Sequence, residues 1–222
     1  MTEISWSMVK RIAKGYDLSL QLDLMDYRLG DPDAEAMCSL IERAIDSCAE
    51  SIARFPKEHG PMGEDQLTVT MLMQLQKLGL DATHDSMSGG HCDIVIEEPD
   101  GFLWLGEVKK VDGVNNSWVA DGYDQLTLRY STGLPYQNRG SLIVFCNCER
   151  IDRVLESWSA FLTGRYEHSG VSITEYNGEA IWFRSEHPGI KTGLIYHVRH
   201  KPISIFFPPQ HGLTSERSKG NR

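Results

Sequence analysis

With 222 residues, 41% of them apolar and 24% charged, the chain has the composition of a globular protein and room for one sizeable domain or two small ones. Its net charge of −9 argues against a protein that coats nucleic acid through a basic surface, and the lack of an apolar run of about 18 residues argues against a membrane span. Five irregularly spaced cysteines, and an N-terminus without the layout of a signal peptide, favour a cytoplasmic protein with reduced thiols.

The first part of the chain, residues 1–58, is predicted to be helical. Within residues 31–55 apolar side chains recur at the spacing of one helix face, which predicts a long amphipathic helix. Asp31 or Asp33 is placed to cap its N-terminus.

A further helix is predicted over residues 64–80, where leucines and a methionine form one helical stripe. Glu64 precedes Leu67 of this stripe by three residues and therefore points the same way. An acidic residue in a first turn is also favourable simply because of the helix dipole, so both interpretations of Glu64 stay open.

Two strands follow, at about 92–98 and 102–111, and the EEPDG segment between them has the composition of a turn. The other predicted elements are a short strand or loop at 81–91, a helix at 119–132, a buried strand at 139–147, a helix at 150–162, and strand-like runs at 171–176, 180–184, 193–199 and 203–207. Residues 211–222 are predicted to be a disordered tail. This order predicts an α/β protein in which helices flank a mixed β-sheet.

Three charged residues interrupt the otherwise apolar strand pair. Side chains alternate along a strand, so Glu107 and Lys109 point to the same face. Asp93 opens the preceding strand, and a hairpin about EEPDG brings positions 93 and 107 close together. Charged residues are seldom buried without a partner, so this cluster is either a surface feature or a site.

The site hypothesis has a specific chemistry. Mg²⁺ prefers oxygen ligands and usually takes one or two carboxylates, together with water and substrate phosphate. Asp93 and Glu107 would supply the carboxylates and the Val108 carbonyl a further oxygen. Lys109 would help to activate water and stabilise the charge that develops on the phosphate.

The pattern of Asp93, thirteen intervening residues and Glu107-Val108-Lys109 resembles the PD-(D/E)XK nuclease superfamily. The resemblance covers roughly residues 60–150. It implies that Glu64 joins the metal ligands and that Gln125, on the following helix, belongs to the catalytic group. In members similar to the RecB nuclease domain this helix reads Q-x-x-x-Y, whereas here Arg129 is four residues after Gln125 and Tyr130 is five.

This resemblance implies a restriction endonuclease-like fold over residues 59–210, with residues 1–58 as an N-terminal helical extension. It further implies an endonuclease that uses Mg²⁺, or Mn²⁺ in its place, and prefers DNA to RNA, such as a restriction-like or anti-phage defence effector. Because the net charge is acidic, a homodimer or a partner defence subunit would supply part of the affinity for DNA. Expected substrate contacts are Lys110, Arg129 and His91.

Other interpretations are open for the same residues. Glu107 and Lys109 could form a surface salt bridge of little energetic value, or charges that protect an edge strand from aggregation in a metal-free interaction protein. A non-catalytic member of the same fold, acting as a binding or assembly module, is the main alternative. Arg129 is as readily a solvent-facing residue, and His91 a loop histidine.

Basic and histidine residues also occur outside this cluster. Arg139, Arg199 and Lys201 are local basic points in an acidic chain. His197 and His200 are three apart on a predicted strand, so they face opposite sides and are poorly placed to share a metal.

Overall fold

A computed structural model describes residues 5–13, 18–84, 91–179 and 181–208; the predicted tail at 211–222 lies outside these ranges. The helices are α1 (Trp6–Ala13), α2 (Ser19–Leu29), α3 (Ala34–Ala53), α4 (Pro56–His59), α5 (Glu64–Lys77), α6 (Asn116–Asp124) and α7 (Ile151–Arg165). A π-helical segment, Gln125–Tyr130, continues α6, and a 3₁₀ turn, Glu167–Ser169, follows α7. The strands are β1 (Ala82–Thr83), β2 (Ile94–Glu97), β3 (Leu103–Val111), β4 (Arg139–Cys146), β5 (Ser172–Asn177), β6 (Trp182–Pro188) and β7 (Ile195–Ser204).

The strands form one seven-stranded mixed sheet in the order β1-β2-β3-β4-β7-β6-β5. The central strands β3, β4 and β7 are parallel to one another, and the outer pairs are antiparallel. Helices cover both faces of this sheet, so the predicted α/β class with a mixed sheet flanked by helices is confirmed. None of the helices in the described ranges is both long and apolar enough to cross a membrane.

A separate apolar core lies on each face of the sheet. On one face α2, α3 and α5 pack against side chains of β2, β3 and β4, including Trp104 and Val108. On the other face α6 and α7 pack against the alternate residues of β3 and β4, including Leu105 and Leu142. The alternation of strand side chains therefore decides which helices each residue of β3 meets.

The long helix α3 agrees with its prediction in extent, face and cap. Asp33 is the N-cap, and its carboxylate accepts hydrogen bonds from the backbone N–H groups of Glu35 and Ala36. Nine of its residues are buried, at the predicted helical spacing. This helix joins the core on its face of the sheet directly, together with α5.

Two predicted boundaries are wrong. The helix expected over 119–132 begins earlier, at Asn116, and changes after Asp124 to π-helical bonding, in which each hydrogen bond spans five residues. The separate runs at 193–199 and 203–207 are one strand, β7, which passes through Pro202. Proline is tolerated there because β6 pairs with β7 only as far as His200, so no strand needs the missing N–H on that side.

Candidate active site

The candidate site lies where β3 extends beyond the end of β2. The β2–β3 ladder starts at the pair Ile94 and Gly106, so the backbone of β3 after Gly106 has no strand partner on the β2 side. Two carboxylates accept hydrogen bonds from the backbone N–H groups of this open edge. Asp93 Oδ2 accepts from the Val108 N–H at 2.8 Å, and Glu64 Oε2 accepts from the Lys110 N–H at 2.7 Å.

The carbonyl of Val108 opens to the same edge. Backbone groups of successive strand residues point alternately to the two neighbouring strands, and the Val111 carbonyl accepts from Asn147 N–H on the β4 side. Val108, an odd number of residues away, therefore points toward Asp93. Its carbonyl stands between the two N–H groups that Asp93 and Glu64 occupy.

Glu107 and Lys109 lie together on the face of β3 that α6 covers. They are 2% and 4% exposed, so they are not a surface salt bridge. The Lys109 ammonium donates to Glu107 Oε1 at 2.7 Å and lies 3.7 Å from Glu64 Oε1. Glu107 Oε2 is buried with no hydrogen-bond partner in the structure. A native protein rarely leaves a carboxylate oxygen in this condition unless it has a role.

Two residues of α6 that the sequence analysis did not select shape this pair. A Cβ atom at Gly122 would lie 2.7 Å from Lys109 Cε and 3.2 Å from Glu107 Cγ, so only glycine lets α6 approach so closely. The ring of Trp118 lies 5.1 Å from the Lys109 ammonium, and its indole N–H donates to Glu64 at 3.3 Å. The signal for Gly122 was an isolated glycine within a helical pattern.

The electrostatics of the carboxylates are mutually coupled. Burial and the nearby Asp93 carboxylate raise the pKa of Glu107 to about 7, against the lowering effect of Lys109. Burial also raises the pKa of Asp93, although its hydrogen bond from Val108 opposes this. Burial alone would lower the pKa of Lys109, but Glu107, followed by Glu64 and Asp93, outweighs it and raises that pKa. Lys109 is therefore a cation at neutral pH.

The predicted hairpin thus brings together Asp93, Glu107, Val108 and Lys109, and the start of α5 adds Glu64. Lys110 faces away from Lys109, as expected. Its ammonium donates to the carbonyls of Gly60 and Met62 at 2.8 and 2.7 Å and so fastens the loop before α5. This contact fixes the position from which Glu64 reaches the edge of β3.

The residues predicted on the helix after β3 lie along the π-helical segment. Gln125 begins this segment and is half-buried, whereas Arg129 is exposed. Tyr130 closes it, and its hydroxyl donates to the His91 carbonyl at 2.8 Å. Burial, followed by the charge of Glu107, raises the pKa of Tyr130 to about 12. Tyr130 therefore ties the segment to the chain that leads into Asp93, while the side chain of His91 is exposed.

The oxygen atoms that meet at this site are of the kind that bind a hard divalent cation. Among the described residues, no three His, Cys, Asp or Glu side chains converge to form a ready-made metal cage. Mg²⁺ does not require one, since it commonly binds through one or two carboxylates and completes its shell with water and phosphate. The unpartnered Glu107 oxygen, the adjacent Asp93 carboxylate and the Val108 carbonyl are ligands of that kind.

Comparison of the chain with models of known protein families, with curated proteins and with solved structures yields no match. What the site does must therefore follow from its own residues.

Proposed function

We propose that this chain is a metal-dependent nuclease of the PD-(D/E)XK type, built on a restriction endonuclease-like fold, which acts on DNA in preference to RNA. The observation that carries the proposal is the buried, unpartnered oxygen of Glu107 beside Asp93 and the Lys109 ammonium, at the open end of β3. Burying two charges beside a third that is half-buried costs stability, and a binding site explains why the cost is tolerated.

Asp93, Glu107 and the Val108 carbonyl would hold Mg²⁺ or Mn²⁺, with Glu64 at the margin. The ion would make water more acidic and neutralise negative charge on the scissile phosphate. Lys109 would donate to a phosphate oxygen and stabilise the charge that builds there, because its ammonium is held in place by Glu107 and Trp118. Gly122 would preserve this position by leaving room for the lysine stem.

The π-helical segment bears on the one motif in which this chain departs from the family pattern, the spacing between glutamine and tyrosine on the helix after β3. The motif spacing of four between glutamine and tyrosine becomes five here, from Gln125 to Tyr130. Hydrogen bonds in a π-helix span five residues instead of four, so one π turn accommodates the extra residue. Such insertions in helices are frequent at functional sites.

Substrate binding is proposed to use the exposed side chains around this edge, Arg129 and His91. Lys110 would be a further contact through the ammonium hydrogen that its bonds to Gly60 and Met62 leave over. The chain carries a net charge of −9, which opposes binding to a polyanion. We therefore infer that a second copy or a partner subunit contributes to nucleic-acid affinity. Native mass spectrometry showing a monomer that cleaves efficiently would overturn this part.

A second candidate function is a binding or assembly module that uses the same fold without catalysis. The specific observation in its favour is that Glu107 and Lys109 are almost fully buried and already satisfy each other in part. Such a module would neither cleave nucleic acid nor depend on a divalent cation.

Cleavage assays on the purified full chain separate the two functions. Supercoiled plasmid, linear duplex, single-stranded DNA and RNA would be incubated with Mg²⁺, Mn²⁺ or EDTA. Lys109→Ala and Asp93→Asn would run in parallel, with Glu97→Gln on the exposed end of β2 as the control. A nuclease gives metal-dependent cleavage that both site variants lose and the control keeps. Intact substrate in every reaction, from protein that circular dichroism shows to be folded, would reject the catalytic proposal.

A further inference from the structure

A second cluster of charged residues lies on the α3 face of the sheet, away from Glu107 and Lys109. Three neighbouring strands each contribute one arginine to it: Arg139 from β4, Arg199 from β7 and Arg184 from β6. Arg184 and Arg199 are directly opposite each other in the β6–β7 ladder. Like charges in that relation destabilise a sheet unless something compensates them.

Each arginine pairs with a carboxylate of α3, and Glu175 of β5 also lies 3.3 Å from Arg184 Nη1. Arg139 pairs with Glu35 at 2.5 Å, and Arg184 pairs closely with Glu42. Asp46 accepts from Arg199 Nη2 at 2.9 and 3.0 Å. All four carboxylates engage the Nη ends of the guanidinium groups, and the Nε edges lie apart from these contacts.

Two of these Nε groups are donors without an acceptor. Arg139 Nε and Arg199 Nε are buried and have no hydrogen-bond partner in the structure, although Glu42 lies 3.9 Å from Arg199 Nε. Ser141 Oγ, whose residue faces Arg199 across the β4–β7 ladder, is buried and unpartnered as well. A buried donor without an acceptor is costly, and here three such atoms occur on adjoining residues.

A cavity of about 250 Å³ lies at this position. Its wall includes all three arginines, the carboxylates of Glu35 and Glu42, and His197. A guanidinium donates and never accepts, so its occupant must offer several acceptor atoms. A water molecule could donate to Glu35 or Glu42 but offers only two lone pairs, whereas an oxyanion with several oxygens can accept from all three arginines.

We propose that this cavity is a binding site for a phosphomonoester or for inorganic phosphate. Arginine presents a planar fork that matches phosphate oxygens, and the three guanidinium groups reach the cavity from three strands. The stacking of Arg184 and Arg199 on the ring of Trp182, at 4.9 and 5.2 Å from its centre, holds two of them in place. The site lies on the opposite face of the sheet from the candidate active site and does not depend on nuclease activity.

Isothermal titration calorimetry of the full chain in EDTA tests this site. The probes are inorganic phosphate and ribose 5-phosphate, with acetate as a carboxylate and ribose as a neutral comparison. Arg139→Gln and Arg184→Gln remove cavity donors at partly exposed positions. Arg43→Gln is the matched control, because Arg43 is on α3 but pairs with Asp23 of α2, away from the cavity. Lys109→Met reports whether phosphate binds instead at the candidate active site.

The proposal expects saturable binding of phosphate or ribose 5-phosphate that each cavity variant weakens by about tenfold or more, as the loss of a charged hydrogen bond requires. Arg43→Gln and Lys109→Met should bind as the unaltered chain does. If circular dichroism shows that the glutamine variants do not fold, Arg139→Lys and Arg184→Lys replace them, since lysine keeps the charge and removes the fork. No binding of either phosphate, tighter binding of acetate, or an affinity unaffected by the cavity variants would each overturn the proposal.

Discussion

Replacing Glu107 by glutamine is expected to stabilise the metal-free protein at neutral and alkaline pH. Burial and the Asp93 carboxylate raise the pKa of Glu107 from 4.5 to about 7. Because the folded state holds this proton more tightly than the unfolded chain, the stabilisation is complete below pH 4.5 and is lost as the pH rises through about 7. The two values differ by about 2.5, which corresponds to roughly 3 kcal/mol.

The loss of the ion pair with Lys109 works in the other direction. Removing one partner of a buried pair commonly costs about 3–5 kcal/mol, because the other charge is left alone. Lys109 is not left alone here, since Glu64 lies 3.7 Å away and Asp93 adds to the negative field. The pKa of Glu107 is raised even with the ammonium 2.7 Å away, so ionised Glu107 is the costlier species.

Urea unfolding in EDTA at several values between about pH 5 and about pH 8 measures the effect, with ΔG obtained by linear extrapolation. The unaltered chain should lose stability over this range by about 2.5 kcal/mol more than Glu107→Gln, which should be the more stable of the two at the alkaline end. Glu97→Gln, at an exposed position, should follow the unaltered chain. The reasoning is refuted if Glu107→Gln shows the same pH dependence as the unaltered chain, or is less stable at about pH 8.

Four further substitutions have defined outcomes. Gly122→Ala should displace Lys109, lower the free energy of unfolding in urea by about 1–3 kcal/mol and strongly reduce cleavage. Its control is Gly164→Ala, where a Cβ meets nothing within 4 Å; this substitution should instead stabilise α7 by about 0.5–1 kcal/mol. Equal effects of the two glycine substitutions would contradict the close approach of α6 to β3. Asp33→Ala should lower the free energy of unfolding by about 1 kcal/mol through loss of the α3 cap, and an unchanged value would exclude that role. Trp118→Phe keeps an aromatic ring beside Lys109 but removes the hydrogen bond from the indole N–H to Glu64 of α5. Cleavage should therefore fall by about three- to tenfold with little change in stability. Unaltered kinetics would show that this bond has no part in the site.

Much of the candidate site could be predicted because its geometry is local. The hairpin turn fixes the register of β2 and β3, so the separation of Asp93 and Glu107 along the chain already implies their proximity. The alternation of strand side chains then places Lys109 beside Glu107. The burial of the pair by α6 and the approach of Glu64 on α5 depend instead on how these helices pack against the sheet.

Contacts that depend on how closely a helix packs against the sheet could not be predicted in this way. Gly122 and Trp118 matter because α6 approaches β3 closely, and nothing in the helical pattern states that distance. The π-helical segment likewise has no marker in the hydrophobic spacing of Tyr123, Leu126 and Tyr130, all of which are buried.

The arginine cluster illustrates the same limit on the other face. Arg139 and Arg199 were recognisable only as separate basic residues, since they lie in strands some sixty positions apart along the chain. The parallel register of β4 with β7, and the antiparallel register of β6 with β7, join them to Arg184. A register between distant strands is decided by the packing of the complete sheet and not by the pattern within any one strand.

Titration of the purified chain with Mn²⁺ and Mg²⁺ in a calorimeter tests most directly the claim that Asp93 and Glu107, at the open edge of β3, form a metal site. The unaltered chain and Glu97→Gln should both bind the ion, and folded Glu107→Gln and Asp93→Asn should both lose that binding. Absence of heat with either ion in the unaltered chain, together with an unfolding temperature that the ions do not raise, would contradict the claim.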